Sequence, residues 1–227
     1  MLLWFAVFKG AGTESIAGFG QAYYLSYALW GAFFARIATS WMYEFRMVED
    51  VSSGAINVYL VRPMSFYEYY LSQLLGYKFV TTMISLLVPL LAATVFDLPT
   101  IVTRIPLAIL LCFFYLILVH TISFIISTFA FHLTKVSSFT VAKNLLFWIL
   151  MGENFPLDLL PEPFKSILIT LPFSSGVYLP VGYITGRIPI DYIYQGFVSI
   201  GLSLVVLNLI AAYLWKKGMR SYVGTGA

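Results

Sequence analysis

The stretch from residue 105 to residue 133 contains no Asp, Glu, Lys or Arg. As a helix it is longer than the roughly 20 residues needed to cross a hydrocarbon core of about 30 Å. Comparable apolar segments run at about 21–40, 66–96 and 193–215, with a shorter one at about 136–151. Only 10% of the 227 residues are charged, where a soluble domain carries about 25%. The solvent for most of the chain is therefore lipid. Helix is the state these segments must take, because unpaired backbone is too costly in lipid and their pattern is continuous rather than alternating. The expected fold class is all-α: a polytopic membrane helical bundle of about five full spans with an N-terminal stub.

The stub is "LLWFAVF" after Met1. Eight apolar residues reach only about 12 Å as helix, and the basic start and cleavage site of a signal peptide are missing. It reads as the end of a span whose first part lies outside this chain. In the first full span, small residues recur four apart, at Ala28 and Ala32 and at Gly31 and Ala35, a spacing that lets helix backbones approach closely. The single cysteine, Cys112, excludes an internal disulfide framework and reads as a small buried hydrophobe. The net charge of +3 is small and scattered, so nucleic acid is not an expected partner.

Lys and Arg set the orientation. One set of loops with the C-terminal tail holds Arg36, Arg46, Arg62, Lys135, Lys143, Lys216, Lys217 and Arg220; the other side holds Lys9, Arg104, Lys165 and Arg187. The bias places residues 49–68 and the C-terminus in the cytoplasm. On the opposite side, residues 152–191 are Pro-rich and broken into apolar runs too short to span. They are expected to form short re-entrant or interfacial helices, with a start framed by Pro161 and Pro163 near Glu162 and a stop at Pro172.

The segment "EDVSSGAINVYLVRPMSFYE" joins the first two full spans. Read as helix, Val48, Val51, Ala55 and Val58 form one apolar stripe. Gly54 weakens that helix by about 1 kcal/mol relative to Ala and marks a bend. Pro63 ends it, because Arg62 before it is pushed toward extended geometry. Ser65 and Glu68 have the spacing of a capping box that starts the next helix at Phe66. The residues leave two roles open: an amphipathic connector on the lipid headgroups, or a docking element for a cytoplasmic partner.

Catalytic constellations do not stand out. No phosphate-cradling Gly-x-x-x-x-Gly-Lys-Ser/Thr loop occurs. His120 and His132 are too far apart along one helix, about 18 Å, to share a metal. No catalytic, cofactor-binding or metal residues are assigned. His120 within a span and Glu153 near the opposite end support the alternative of a membrane-embedded lipid-modifying enzyme, provided that they converge at one depth. The small-residue face and the stub support a second alternative, a non-transporting assembly or anchor protein.

Several motifs, in order along the chain, resemble one family. "LLWFAVFKG", "YYLSYAL", "VEDVSSGAINVYLVRPMSFYEYYLS", "MGENFPLDLLP", "LPFSSGVYLPVGYITGR" and "WKKGMRSYVGTGA" are similar to segments of permease subunits of type-2 ATP-binding-cassette (ABC) exporters, in the small six-span bacterial branch. The resemblance implies one transmembrane permease domain over residues 1–227, in the bacterial cytoplasmic (inner) membrane. It implies a second permease copy or paralogue, with the substrate path between the two, and separate ABC ATPase subunits that bind ATP and Mg2+. It also implies that residues 41–65, with Glu49, Asp50, Gly54, Arg62 and Pro63, form the coupling segment that docks on the ATPase. The 152–191 segment becomes the outer short-helix region that closes the exit, with Glu153, Pro156, Pro172 and Pro180 as candidate pathway or gate residues. Such permeases begin with a basic interfacial helix and a complete first span, and neither precedes Met1.

Overall fold

The computed structural model describes residues 2–12 and 14–222. The closing motif therefore lies partly outside the described residues. In chain order, α1 is Leu2–Ala11, the strands β1 (Ser15–Ile16) and β2 (Phe19–Gly20) form a small hairpin, and α2 is Gln21–Ala38. α3 (Trp41–Ser52) and the single turn α4 (Asn57–Leu60) make the connector. α5 (Phe66–Ser85) and α6 (Leu87–Val95) follow, then α7 (Ile105–Thr128) and α8 (Ser137–Leu150). The Pro-rich region holds α9 (Phe164–Thr170) and α10 (Tyr178–Ile184), and the chain closes with α11 (Ile190–Ser221).

Among the described residues, three stretches are long and apolar enough to cross a membrane: Phe66–Val95, Val102–Phe131 and Ile190–Ser221. α2 and α8 are shorter, about 27 and 21 Å by helical rise, so the five expected spans divide into three long and two short helices. Among the described residues the bundle is all-α apart from the hairpin, which sequence reading did not anticipate. Its turn places Ala17 and Gly18 both at positive φ, the geometry that matches the twist of a two-residue hairpin.

α7 is the central post. Its apolar window is 67% buried, against 22% for Phe66–Val95 and 11% for α11, which face outward. Pro106 opens it in the first turn, where a missing N–H costs nothing. Its Ser and Thr hydroxyls bond their own helix: Thr121 Oγ1 donates to the Ile117 carbonyl at 3.0 Å and Ser123 Oγ to the Val119 carbonyl at 2.8 Å. These Ser and Thr hydroxyls are thus satisfied inside an apolar core. The second span is interrupted at Leu86, between α5 and α6. Pro89 explains the interruption, because its ring opposes the carbonyl four residues back and it donates no hydrogen bond.

Residues 152–191 fold as a cap against the first half of α7. Gly152, at φ +77°, ends α8 in the left-handed conformation. Pro156 precedes the 3₁₀ turn Leu157–Leu159, α9 starts just after Pro163, and Pro172 opens the 3₁₀ turn Pro172–Gly176. Pro180 sits in the first turn of α10, every residue of which is buried. The backbone around α10 is therefore covered by protein, as lipid requires of a segment that cannot span, while α9 has no buried residue. Gly176 allows the approach to α7: a Cβ there would lie 2.7 Å from Tyr115 Cε1.

Asp158 ties the cap together. Its carboxylate accepts from Tyr23 (3.0 Å), Tyr178 (3.0 Å) and Arg187 (2.8 Å), and pairs with Lys165 at 3.0 Å. Burial raises this carboxyl, but the Arg187 and Lys165 hydrogen bonds, the Arg187 charge and the Tyr178 hydroxyl outweigh it and hold it below its ordinary 3.8. An acid depressed in the folded state contributes stability above its unfolded value and loses it as pH falls through the folded one. Asp158→Asn is expected to lower stability at neutral pH by about 1–3 kcal/mol, the cost of stranding buried donors. The difference from wild type should shrink as pH is taken below 3.8, read by thermal unfolding in detergent; a gap that stays constant with pH would contradict the ionised hub.

Candidate functional site

The connector between α2 and α5 is fixed at both ends. At its start, Ser40 Oγ donates to Glu44 Oε1 at 2.6 Å on α3. The same carboxylate accepts from Lys143 Nζ at 2.5 Å and from Asn144 Nδ2 at 2.8 Å on α8. Lys143 Nζ also donates to Ser123 Oγ of α7 at 3.0 Å. The Glu44 and Lys143 side chains are 1% and 6% exposed. Three helices thus meet on one buried, hydrogen-bonded ion pair. Sequence reading counted Lys143 as a loop charge; it lies inside α8 and is neutralised by Glu44, and removing it from the count leaves the charge bias in the same direction.

The far end of the connector is held by an aromatic core. Met47, Val51 and Ile56 pack with Phe66 and Tyr70 of α5, Phe124 of α7 and Ala211 of α11. Phe66 stacks on Trp215 with centroids 5.5 Å apart and planes at 17°, and Trp215 lies 5.1 Å from Phe124. Tyr70 donates to Asp50 Oδ2 at 2.5 Å, and the Ile56 amide donates to the Asp50 carbonyl at 2.9 Å.

Gly54 separates the two halves. Its φ of +81° is a left-handed conformation that suits glycine and ends α3. The continuous stripe expected from Val48 to Val58 therefore breaks there. Val48 and Val51 are buried, whereas Ala55 and Val58 are exposed and Ile56 takes the inward position. The reason is the reversal at Gly54, which re-aims every side chain after it. Tyr222, just after α11, donates to Asn57 Oδ1 at 3.0 Å and braces the turn from the other side.

After α4 the Arg62 guanidinium lies over the rings of Tyr59 (5.3 Å) and Tyr69 (5.1 Å), a cation–π arrangement that orders an exposed arginine. Pro63 follows, and the capping box forms as expected. The Glu68 amide donates to Ser65 Oγ at 3.2 Å, and the Ser65 amide donates to Glu68 Oε2 at 3.0 Å. The outward face carries Val58, Leu60, Val61 and Met64, with Val61 85% exposed. Glu49, Arg62 and Pro63 are exposed beside it. The element is thus a rigid two-faced plate: inside, a core shared with α5, α7 and α11; outside, an apolar surface edged by charges of both signs.

The remaining candidates lie elsewhere. Pro156, Pro172 and Pro180 belong to the cap, against the opposite half of α7 from the aromatic end of the connector, whereas Glu153, just past the end of α8, lines a cavity with Trp41 and Tyr43 at the start of α3. His120 is buried, and its Nε2 lies 3.1 Å from the Tyr67 carbonyl. The two cavities that Glu153 lines do not include His120, so neither brings together the pair that the enzyme reading needs. The two halves of the small-residue pattern also separate: Gly31 and Ala35 are buried, while Ala28 and Ala32 border open space. Sequence reading missed Glu44, Asn144 and Asp158. The available signal was an isolated acid in "WMYEFRMV" and an isolated Lys-Asn pair in "TVAKNLLFWIL", opposite charges in apolar surroundings.

Removing the Glu44 carboxylate strands a buried ammonium. Glu44→Gln is expected to cost about 3–5 kcal/mol. The double variant Glu44→Gln/Lys143→Met should recover much of that loss in thermal unfolding. Equal instability of the single and double variants would show that the pair is not coupled.

The sequence profile of the family described as ABC-2 family transporter protein matches residues 1–226. No curated protein and no solved structure matches the chain.

Proposed function

The chain belongs to the ABC-2 family of transporter proteins, and from that premise we propose that it is the transmembrane subunit of an ATP-driven exporter. It acts as one permease domain over residues 1–227, without catalysis of its own. Two permeases, copies or paralogues, enclose the substrate path within the lipid of a bacterial inner membrane. Two ABC ATPase subunits bind ATP and Mg2+ and supply the work. The Lys/Arg bias favours the connector and the C-terminus on the cytoplasmic side, and the cap then closes the exit on the outer side.

One observation carries this reading: the two faces of the connector. Its exposed surface, Val58, Leu60, Val61 and Met64 with Glu49 and Arg62 at the edge, has the chemistry of a protein-docking patch. Its buried surface shares one aromatic core with α5, α7 and α11. A close-packed core transmits displacement rather than absorbing it. Motion of an ATPase against the outer face is therefore delivered to three helices at once. Gly54 sets the angle of the plate, Asp50 bonds it to Tyr70, Arg62 and Pro63 shape its tip, and the Ser65–Glu68 box fixes where α5 begins.

The test uses the chain reconstituted with the ABC ATPase that co-purifies with it. Val61→Asp places a charge at the centre of the patch, and Arg62→Ala removes its edge. Val61→Asp is expected to weaken ATPase binding about tenfold or more, as central interface positions do, and Arg62→Ala to weaken it less, chiefly by slowing association, as rim charges do. Transport-coupled ATP hydrolysis should fall in parallel, with the unfolding temperature of Val61→Asp unchanged because that side chain is exposed. Wild-type hydrolysis and transport in both variants would remove the coupling assignment.

A further inference from the structure

A cleft of about 570 Å³ opens between α2, α3, α5 and the end of α8. Two cations line it. Arg36 comes from the last turn of α2 and is exposed; Lys78 comes from α5 and is only 7% exposed. Lys78 lies about 18 Å along the helix from Phe66, well inside the Phe66–Val95 span. Its Nζ donates to the backbone carbonyl of Arg36. An ammonium has three donors, so two remain.

Among the described residues, neither Arg36 nor Lys78 has a carboxylate within ion-pair distance. Lys143, buried to nearly the same degree at 8%, has Glu44. The contrast matters, because a buried charge without a counter-charge is costly and an ionisable group within a span stands where something pairs with it. Glu153 also lines the cleft, beyond ion-pair distance of both cations, so the lining keeps an excess of positive charge. The rest of the wall is strongly aromatic. Trp41 and Trp148 stack with centroids 5.1 Å apart and planes at 22°, and Tyr43 lies 6.1 Å from Tyr77. Cations beside stacked aromatic faces suit a molecule with an acidic end and an apolar body.

We propose that this cleft binds an anionic amphiphile. Its acidic headgroup takes the Arg36 guanidinium and the free Lys78 donors, and its apolar body lies along the Trp41–Trp148 pair. The assignment rests on the cleft itself and does not require ATP-driven export. The same chemistry is offered by an acidic bilayer lipid and by a freely diffusing single-chain acid.

Native mass spectrometry tests it on the full chain in micelles holding phosphatidylglycerol and phosphatidylcholine at equal concentration. Wild type is expected to retain phosphatidylglycerol in preference. Arg36→Gln should lower its apparent affinity about tenfold, the value of one charge-assisted contact. Lys78→Met should abolish the preference and Lys78→Arg should restore it. Arg36→Gln leaves the backbone carbonyl that Lys78 bonds in place and alters an exposed side chain, so it carries the test if Lys78→Met does not fold. In a second arm lauric acid is titrated in. Displacement of phosphatidylglycerol assigns the site to a diffusing acid, and retention assigns it to a bilayer lipid. Equal retention of both phospholipids by wild type, or an unchanged preference in Arg36→Gln, would overturn the proposal.

Discussion

The Glu44 carboxylate is the point on which the connector depends. Ser40, Lys143 and Asn144 converge on it, and Lys143 carries the contact on to Ser123 of α7. A buried ion pair is weak evidence for stability, since well-packed apolar groups often do as well. Its value here is positional. Each partner must meet the others at hydrogen-bond distance, so α3 leaves α2 in one direction only. The aromatic core around Phe66 and Trp215 then fixes the other end. Between these anchors the connector is held as a plate, and its outer face is determined by what its inner face must bury.

A second constraint shapes the opposite end. Lipid leaves no water for unpaired backbone, so a segment that cannot span has to be covered. The cap meets this in two ways. α10 is buried along its whole length, and its entry is bonded to the rest of the chain, with the Tyr178 amide donating to the Met151 carbonyl at 3.0 Å. Asp158 then gathers Tyr23, Tyr178, Lys165 and Arg187 into one network. The cap and the connector therefore use the same device, an acid neutralised by basic and hydroxyl groups from distant parts of the chain.

What the sequence revealed follows the range of the interaction. The capping box at Ser65 and Glu68, three residues apart, was legible and forms. The break at Gly54, the stop at Pro63 before α5 and the apolar spans were legible for the same reason, since each is a local property. The apolar stripe through Val58 was not, because a single left-handed glycine rotates everything after it. Glu44 and Lys143 are 99 residues apart, and no local pattern links them. A lysine assigned to a loop by its position was in fact the buried half of a pair. Lys78 lies within an apolar stretch of the sequence; only the packing of α2 against α5 shows that it faces a cleft. Family membership was legible from the order of several loose motifs, each weak alone, and the profile match over residues 1–226 bears it out.

The central claim is that the connector is a cytoplasmic handle for an ATPase. The chain is suited to a direct test, because its single cysteine, Cys112, is buried. Cysteines placed at Val61, on the outer face of the connector, and at Phe164, on the cap, are both exposed positions. A membrane-impermeant thiol reagent is applied to intact cells and to inside-out vesicles, with and without the bound ATPase. The account predicts that Phe164→Cys reacts only in intact cells. It predicts that Val61→Cys reacts only in inside-out vesicles and is protected when the ATPase is present. Labelling of Val61→Cys in intact cells, or labelling in vesicles that the ATPase does not slow, would contradict it.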